Sequence, residues 1–218
     1  GDEFALLFTD GDGERIRRCV GEIQERMAKP WQNRDYQFIL PVAIGIVRRS
    51  EYVNTLEKAV SAIEYAVYQA KTGKYGEVLY CDRSMLGKLE RRKQIIQILK
   101  DQLAGGDVEM YYQPIYCVDS GKFMYAESLM RMNNTPIGPV YPSEFIPIAE
   151  ETGLIIELTY LILDKVCKYI NRLRAQGLPI EAIHVNFSAI QFSQPDLTAK
   201  VLDIIQRNGT PMSMVKLE

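Results

Sequence analysis

From residue 109 onward the chain alternates strand-like with helix-like segments, and that alternation confines it to an α/β architecture more firmly than any other feature. Residues 109–116 read as a strand, Asp119-Ser120-Gly121 as a turn, and residues 122–129 as a second strand, the pattern of a hairpin. Pro142 and Ser143 open a short helix to about residue 151, and residues 154–175 place Leu158, Leu161, Val166 and Ile170 on one helical side, closed by Gly177. A strand at 182–187, a helix at 196–207 and a strand at 214–218 follow.

The first 82 residues are α/β as well. Residues 4–8 read as a short apolar strand and residues 10–13 as a turn. Ile16, Val20, Ile23 and Met27 then share a helical face that Pro30 terminates. Residues 37–47 read as one long buried strand, Leu56, Val60, Ile63, Val67 and Ala70 as a helix ending near Gly73, and residues 78–81 as a strand. Between the two parts, Leu86, Leu89, Ile96 and Leu103 recur at helical spacing. Residues 83–107 hold 6 basic against 3 acidic residues, which reads as a connecting helix with a solvated basic face. The organisation expected is 1–82, 83–107 and 108–218, and 218 residues at about 150 per domain correspond to one and a half domains.

Charge narrows the partners. A net charge of -2 carries no electrostatic footprint for duplex nucleic acid or an anionic membrane. The longest apolar run, residues 38–47, is half of the roughly 20 residues a membrane-spanning helix takes. The first residues include neither an initiator Met nor a signal peptide, so the chain reads as a piece of a longer protein, whose missing N-terminal segments could anchor it to a membrane. Cys19, Cys81, Cys117 and Cys167 lack metal-ligand or redox spacing, which suits reduced thiols and a cytoplasmic setting. No P-loop, Rossmann glycine fingerprint or nucleophile elbow occurs.

Glu127, Asn186 and Glu218 each fall at or near the C-terminal end of an expected strand. In a parallel α/β barrel those ends converge on one mouth, where such folds keep their chemistry. Two carboxylates and an amide carbonyl are hard oxygen donors suited to Mg²⁺ or Mn²⁺. Spacing alone leaves two readings open: a divalent metal site, or two solvated strand-end charges beside a turn residue.

Tyr112-Gln113-Pro114-Ile115, Glu127-Ser128-Leu129-Met130-Arg131, the stretch from Pro142 through Glu151-Thr152-Gly153-Leu154-Ile155, and Val185-Asn186-Phe187-Ser188-Ala189 through Gln191 occur in that order. They resemble the successive motifs of EAL domains, the phosphodiesterases of cyclic di-GMP, with Ser128 where the family usually has Ala. The resemblance implies that Glu127, Asn186 and Glu218 are catalytic metal ligands and that Gln113 and Arg131 bind the cyclic dinucleotide, Arg131 through the bidentate fit of guanidinium to phosphate. It further implies two Mg²⁺ or Mn²⁺ ions that polarise the phosphoryl group and activate water, with linear pGpG as product. Family members carry acids at the positions of Glu150 and Glu151, which leaves two readings open, a role shared with the family or solvated helix-end charges.

Gly1-Asp2-Glu3-Phe4 with Ala5-Leu6-Leu7-Phe8, then Ala43-Ile44-Gly45-Ile46, then the helix Glu64 through Lys71 resemble a second family, the GGDEF domains or diguanylate cyclases. That resemblance implies Asp2 and Glu3 as magnesium ligands at GTP phosphates and Lys71 as a phosphate contact; by spacing alone Lys71 is a snorkelling surface lysine. Pro41 and Ala43 stand where the family usually has hydroxyl residues, and Pro removes a ladder hydrogen bond.

The fold class expected is therefore α/β: the C-terminal part of a GGDEF domain of nucleotidyl-cyclase-like type, a connecting helix, and the N-terminal half of an EAL barrel of (β/α)8 type. The parent is expected to be a bacterial signalling protein, homodimeric at full length, that hydrolyses cyclic di-GMP, with GTP as a second ligand at a regulatory or cyclase-active GGDEF domain. A catalytically inactive cyclic di-GMP receptor is the rival reading, and the 218-residue piece by itself is expected to be inactive. His184, the sole histidine, reads as structural, Trp31 as packing over a helix end, and Tyr111, Tyr112, Tyr116 and Tyr125 as core or rim packing.

Overall fold

A computed structural model describes residues 2–73 and 76–218, so Gly1, which opens the segment resembling the GGDEF signature, lies outside the described residues. Two compact units form, Gly1–Glu90 and Arg91–Glu218. The division falls inside a helix.

In the first unit, α1 (Gly13–Ala28) is started by Asp12, whose carboxylate accepts from the backbone N–H groups of Glu14 and Arg15. Trp31, just past its end, lies under the Arg26 guanidinium, 3.5 Å from the ring centroid. A small antiparallel pair follows, β1 (Trp31–Asn33) with β2 (Tyr36–Phe38). The strand expected over 37–47 is broken: residues 39–43 have no regular structure, and β3 (Ile44–Ile46) begins only after Pro41, which has no N–H to give a ladder. Helix α2 (Leu56–Thr72) is capped by Thr55 and leads to β4 (Val78–Tyr80), which pairs with β3 in parallel.

The contact of β3 with α2 explains the Ala-Ile-Gly-Ile segment. A Cβ on Gly45 would sit 2.8 Å from the Val67 backbone nitrogen and 3.0 Å from the Ala66 Cβ. Ala62, Ala66 and Ala70 line the same buried face of α2, so small residues on both elements let strand and helix touch. Residues 4–8 form no strand; Phe4 and Leu7 are about nine-tenths exposed, at 92% and 90%. An apolar segment this short cannot hold an extended pairing without an apolar face to bury against.

Helix α3 (Arg83–Gly105) crosses the division. Its second half is not a solvated linker: Ile95 and Leu99 are fully buried in the second unit against Val108, Met130, Met132, Phe145 and Leu158. Each such side chain contributes about 1.5–3 kcal/mol of burial. Arg91 and Arg92 pair with Glu144 and Glu151, so two of the connector's basic residues face a neighbouring helix.

The second unit is built on a four-stranded sheet in chain order. β5 (Glu109–Cys117) and β6 (Lys122–Arg131) form the expected hairpin. α4 (Pro142–Glu151) and α5 (Leu154–Ala175) lead to β7 (Ala182–Val185), parallel to β6. α6 (Leu197–Arg207) then leads to β8 (Val215–Leu217), parallel to β7. Between α4 and α5 stands Gly153 at φ 72°, a left-handed conformation that side-chain-bearing residues rarely adopt. Ala126, Ile183, Val185 and Val215 on the sheet pack with Leu163, Val166 and Ile170 of α5 and Ile204 and Ile205 of α6. No helix among the described residues is long and apolar enough to cross a membrane.

Candidate functional site

Successive residues of a strand point to opposite faces. Because Ala126, Ile183, Val185 and Val215 turn to the helices, their alternates Glu127, His184, Asn186 and Glu218 turn to the other face. Gln113 lies directly across from Glu127 in the β5–β6 ladder, and Arg131 lies two steps of the same alternation beyond it, opposite Glu109. One sheet face thus gathers Gln113, Glu127, Arg131, His184, Asn186 and Glu218.

The three expected oxygen donors lie in, or one residue past, three neighbouring strands. Glu127 is half-buried within β6, which runs on to Arg131 rather than stopping near the carboxylate as the sequence implied. Asn186 follows the last residue of β7, and its Nδ2 donates to Glu127 Oε1 at 2.7 Å. Glu218 follows β8; its N–H donates to the Val185 carbonyl at 3.0 Å and its carbonyl accepts from Phe187 N–H at 2.7 Å. Its carboxylate meets His184, with Nδ1 2.5 Å from Oε1. Among the described residues no three His, Cys, Asp or Glu side chains are placed to hold a metal ion together, so a three-donor set on this face requires the Asn186 amide.

Among the described residues the Arg131 side chain makes one hydrogen bond, from Nη1 to the adjacent Met130 carbonyl at 3.0 Å. Four residues of strand, about 13 Å, separate it from Glu127. Ser128, which replaces the usual Ala, is buried and donates through Oγ to the His184 carbonyl at 2.8 Å, tying β6 to β7 beside the donors.

Glu150 and Glu151 are not free helix-end charges. Glu150 accepts from Ser188 Oγ at 2.7 Å, and Ser188 caps the short 3-10 helix after β7 together with the buried Gln191. Glu151 pairs with Arg92 at 2.6 Å. Tyr112 does pack: its ring stacks on Tyr169 at 3.9 Å, and burial pushes its hydroxyl pKa up to about 12. That stack borders a cavity of about 310 Å³ between β5 and α5, on the side of the sheet away from the carboxylates.

In the first unit, Glu3 and Lys71 meet, with Lys71 Nζ 3.3 Å from Glu3 Oε1. Both side chains are more than half exposed, and such a pair adds little stability. Asp2 is exposed, within residues that have no regular structure.

Sequence reasoning missed His184 as a member of the donor face. The signal was present in its two-residue spacing from Asn186, which fixes a shared face once the strand is assigned.

Comparison with known proteins places this face in context. A family model described as EAL domain matches residues 96–218. The signalling protein YkoW of Bacillus subtilis is 29% identical over 225 residues, spanning 100% of this chain and 27% of that protein. The bifunctional diguanylate cyclase/cyclic di-GMP phosphodiesterase MucR of Pseudomonas aeruginosa is 26% identical over 218 residues, spanning 100% of this chain and 32% of that protein. The chain covers about a third or less of the curated relatives it matches. A solved PaMucR phosphodiesterase in complex with c-di-GMP superposes with a TM-score of 0.53 at 29% identity, over 57% of this chain and 50% of that one. The Xanthomonas citri FimX EAL domain, also in complex with c-diGMP, shares the fold at a TM-score of 0.52 and 20% identity, over 62% of this chain and 51% of that one.

Proposed function

The chain belongs to the EAL domain family, and from that premise we propose that the protein carrying it hydrolyses cyclic di-GMP to linear pGpG in bacterial signalling. The observation that carries this reading is the hydrogen bond from Asn186 to Glu127 on the sheet face to which Glu218 also turns.

Two carboxylates facing a phosphodiester repel it unless a cation stands between them. The donors present fit such a cation: all three offer hard oxygens, and Asn186 engages Nδ2 while its Oδ1 takes no hydrogen bond from any described residue. Mg²⁺ or Mn²⁺ held there by Glu127, Asn186 and Glu218 supplies Lewis-acid polarisation of the phosphoryl group and a nucleophilic water. The chain's own residues do the rest. Arg131 presents a guanidinium for bidentate phosphate pairing, and Gln113, opposite Glu127, presents an amide that can both donate to and accept from the ligand. Strand pairing fixes the backbone of these donors, so orientation costs little at the moment of reaction.

The sheet order and the two parallel crossovers support reading the second unit as the first half of a (β/α)8-type barrel. The first unit is read as the C-terminal part of a GGDEF domain. Support comes from the close packing of Gly45 on α2, the Glu3–Lys71 pair, and alignments to relatives, a bifunctional cyclase/phosphodiesterase among them, that span the whole chain. On that reading Asp2, Glu3 and Lys71 are the residues for GTP phosphates and their metal, and the full-length protein acts as a homodimer.

The test is to supply full-length protein with cyclic di-GMP and Mg²⁺ or Mn²⁺ and follow pGpG by chromatography. Turnover that disappears in Glu127→Ala is expected. No turnover by the unaltered protein, or undiminished turnover after Glu127→Ala, overturns the proposal; tight binding without turnover identifies a receptor instead.

A further inference from the structure

We propose that His184 is a positioning residue: its Nδ1–H holds the Glu218 carboxylate in the orientation a metal ligand needs. This inference rests on the metal-site reading above and adds a residue that the family motifs do not name.

The geometry begins with the backbone. Glu218 is pinned by two backbone hydrogen bonds, its N–H to Val185 at the end of β7 and its carbonyl to Phe187 just beyond it. Its side chain is not pinned in that way. The carboxylate is 48% exposed, and among the described residues its hydrogen-bonding partner is His184 alone. A glutamate side chain is among the richest in rotamers, so an untethered carboxylate at this position would spread over many orientations and bind a cation more weakly.

His184 is itself well held. Its side chain is 23% exposed, its ring meets Tyr125 edge-to-face at 6.2 Å, and its carbonyl accepts from the buried Ser128 hydroxyl. Tyr125 is anchored in turn by its hydroxyl, which donates to Glu181. An ionised carboxylate can only accept hydrogen bonds, so the ring nitrogen facing it must be the one that carries the proton. Nδ1–H therefore donates to Oε1, and Oε2 takes no hydrogen bond from any described residue. The arrangement is an outer partner that orders an oxygen ligand; losing such partners typically costs about 10–100-fold in metal affinity.

Asparagine supplies the discriminating variant, because its Nδ2 occupies nearly the same place along the side chain as the histidine Nδ1. The experiment measures Mn²⁺ binding to the full-length protein by electron paramagnetic resonance, counting only the binding that Glu127→Ala removes. His184→Leu is expected to weaken that binding about tenfold or more, and His184→Asn to restore it to within about threefold of the unaltered protein. In a Glu218→Ala background, exchanging His184 for Leu should change nothing further, because the histidine acts through that carboxylate.

Undiminished Mn²⁺ affinity in His184→Leu overturns the inference, and so does a loss that His184→Asn fails to rescue or that persists in the Glu218→Ala background. Failure of the underlying site has a different signature: the unaltered protein shows no Mn²⁺ binding sensitive to Glu127→Ala, and both readings then fall.

Discussion

Asn186 Nδ2 donates a 2.7 Å hydrogen bond to Glu127 Oε1, joining the residue after β7 to the middle of β6 on the donor face. The contact shows that these two donors reach a common point. Asn186→Ala removes one donor of the proposed cation and leaves a Glu127 lone pair to water. Because metal polarisation is worth several kcal/mol and about 1.4 kcal/mol is tenfold in rate, turnover of cyclic di-GMP should fall by about two orders of magnitude. Steady-state release of pGpG measures it, and a loss below about fivefold would contradict the ligand role.

Chelation should abolish turnover, because Glu127 and Glu218 without a cation repel the diester. Treatment with EDTA followed by gel filtration is expected to leave an inactive protein that Mg²⁺ or Mn²⁺ restores. Activity that survives chelation would sink the proposed chemistry.

Ser128→Ala restores the usual family residue and removes a buried hydrogen bond to the His184 carbonyl. Such a bond contributes about 0.5–1.5 kcal/mol net. Urea unfolding should show a loss of about that size, and unchanged or increased stability would show that the serine does not tie β6 to β7.

Asp164 joins α5 to the end of α6. Burial alone would push its carboxyl pKa up, but hydrogen bonds from Lys168, Asn208 and Arg207 outweigh burial and hold it below its ordinary value. A pKa lower in the folded than in the unfolded chain stabilises the fold above the unfolded value, about 3.9, and that stabilisation is lost as pH falls through the folded value. Asp164→Asn should therefore cost about 1–2 kcal/mol at pH 7, with the gap to the unaltered protein closing below about pH 4. A gap independent of pH would show that the charge of Asp164 contributes nothing.

Gly45→Ala places a methyl 2.8 Å from the Val67 backbone nitrogen, an atom that cannot move without displacing α2. Overpacking of this kind costs about 1–3 kcal/mol. Gly21→Ala is the control, since a Cβ there meets nothing within 4 Å on α1. Thermal unfolding should separate the two, and equal midpoints would mean that β3 and α2 can yield.

Much of the second unit was readable from local pattern. The hairpin, α4, α5 and α6 lie within a few residues of their expected limits, because apolar periodicity, Pro142, Gly153 and Gly177 act over one or two turns of chain. The first unit was less legible. An apolar stretch such as residues 4–8 resembles a strand whether or not a partner exists, and Pro41 interrupts a run that composition alone makes continuous.

The sequence by itself determined which donors the molecule has and, by placing Glu127, Asn186 and Glu218 at or near the C-terminal ends of expected strands, that they could converge on one site. Tertiary structure decided the rest. It gave Glu151 to Arg92 and Glu150 to Ser188, drew half of the basic connector into the second unit through Ile95 and Leu99, and set His184 against Glu218. Each of these pairings joins residues far apart along the chain. Pattern along a chain records which face a side chain takes, whereas its partner there is chosen by the packing of distant elements.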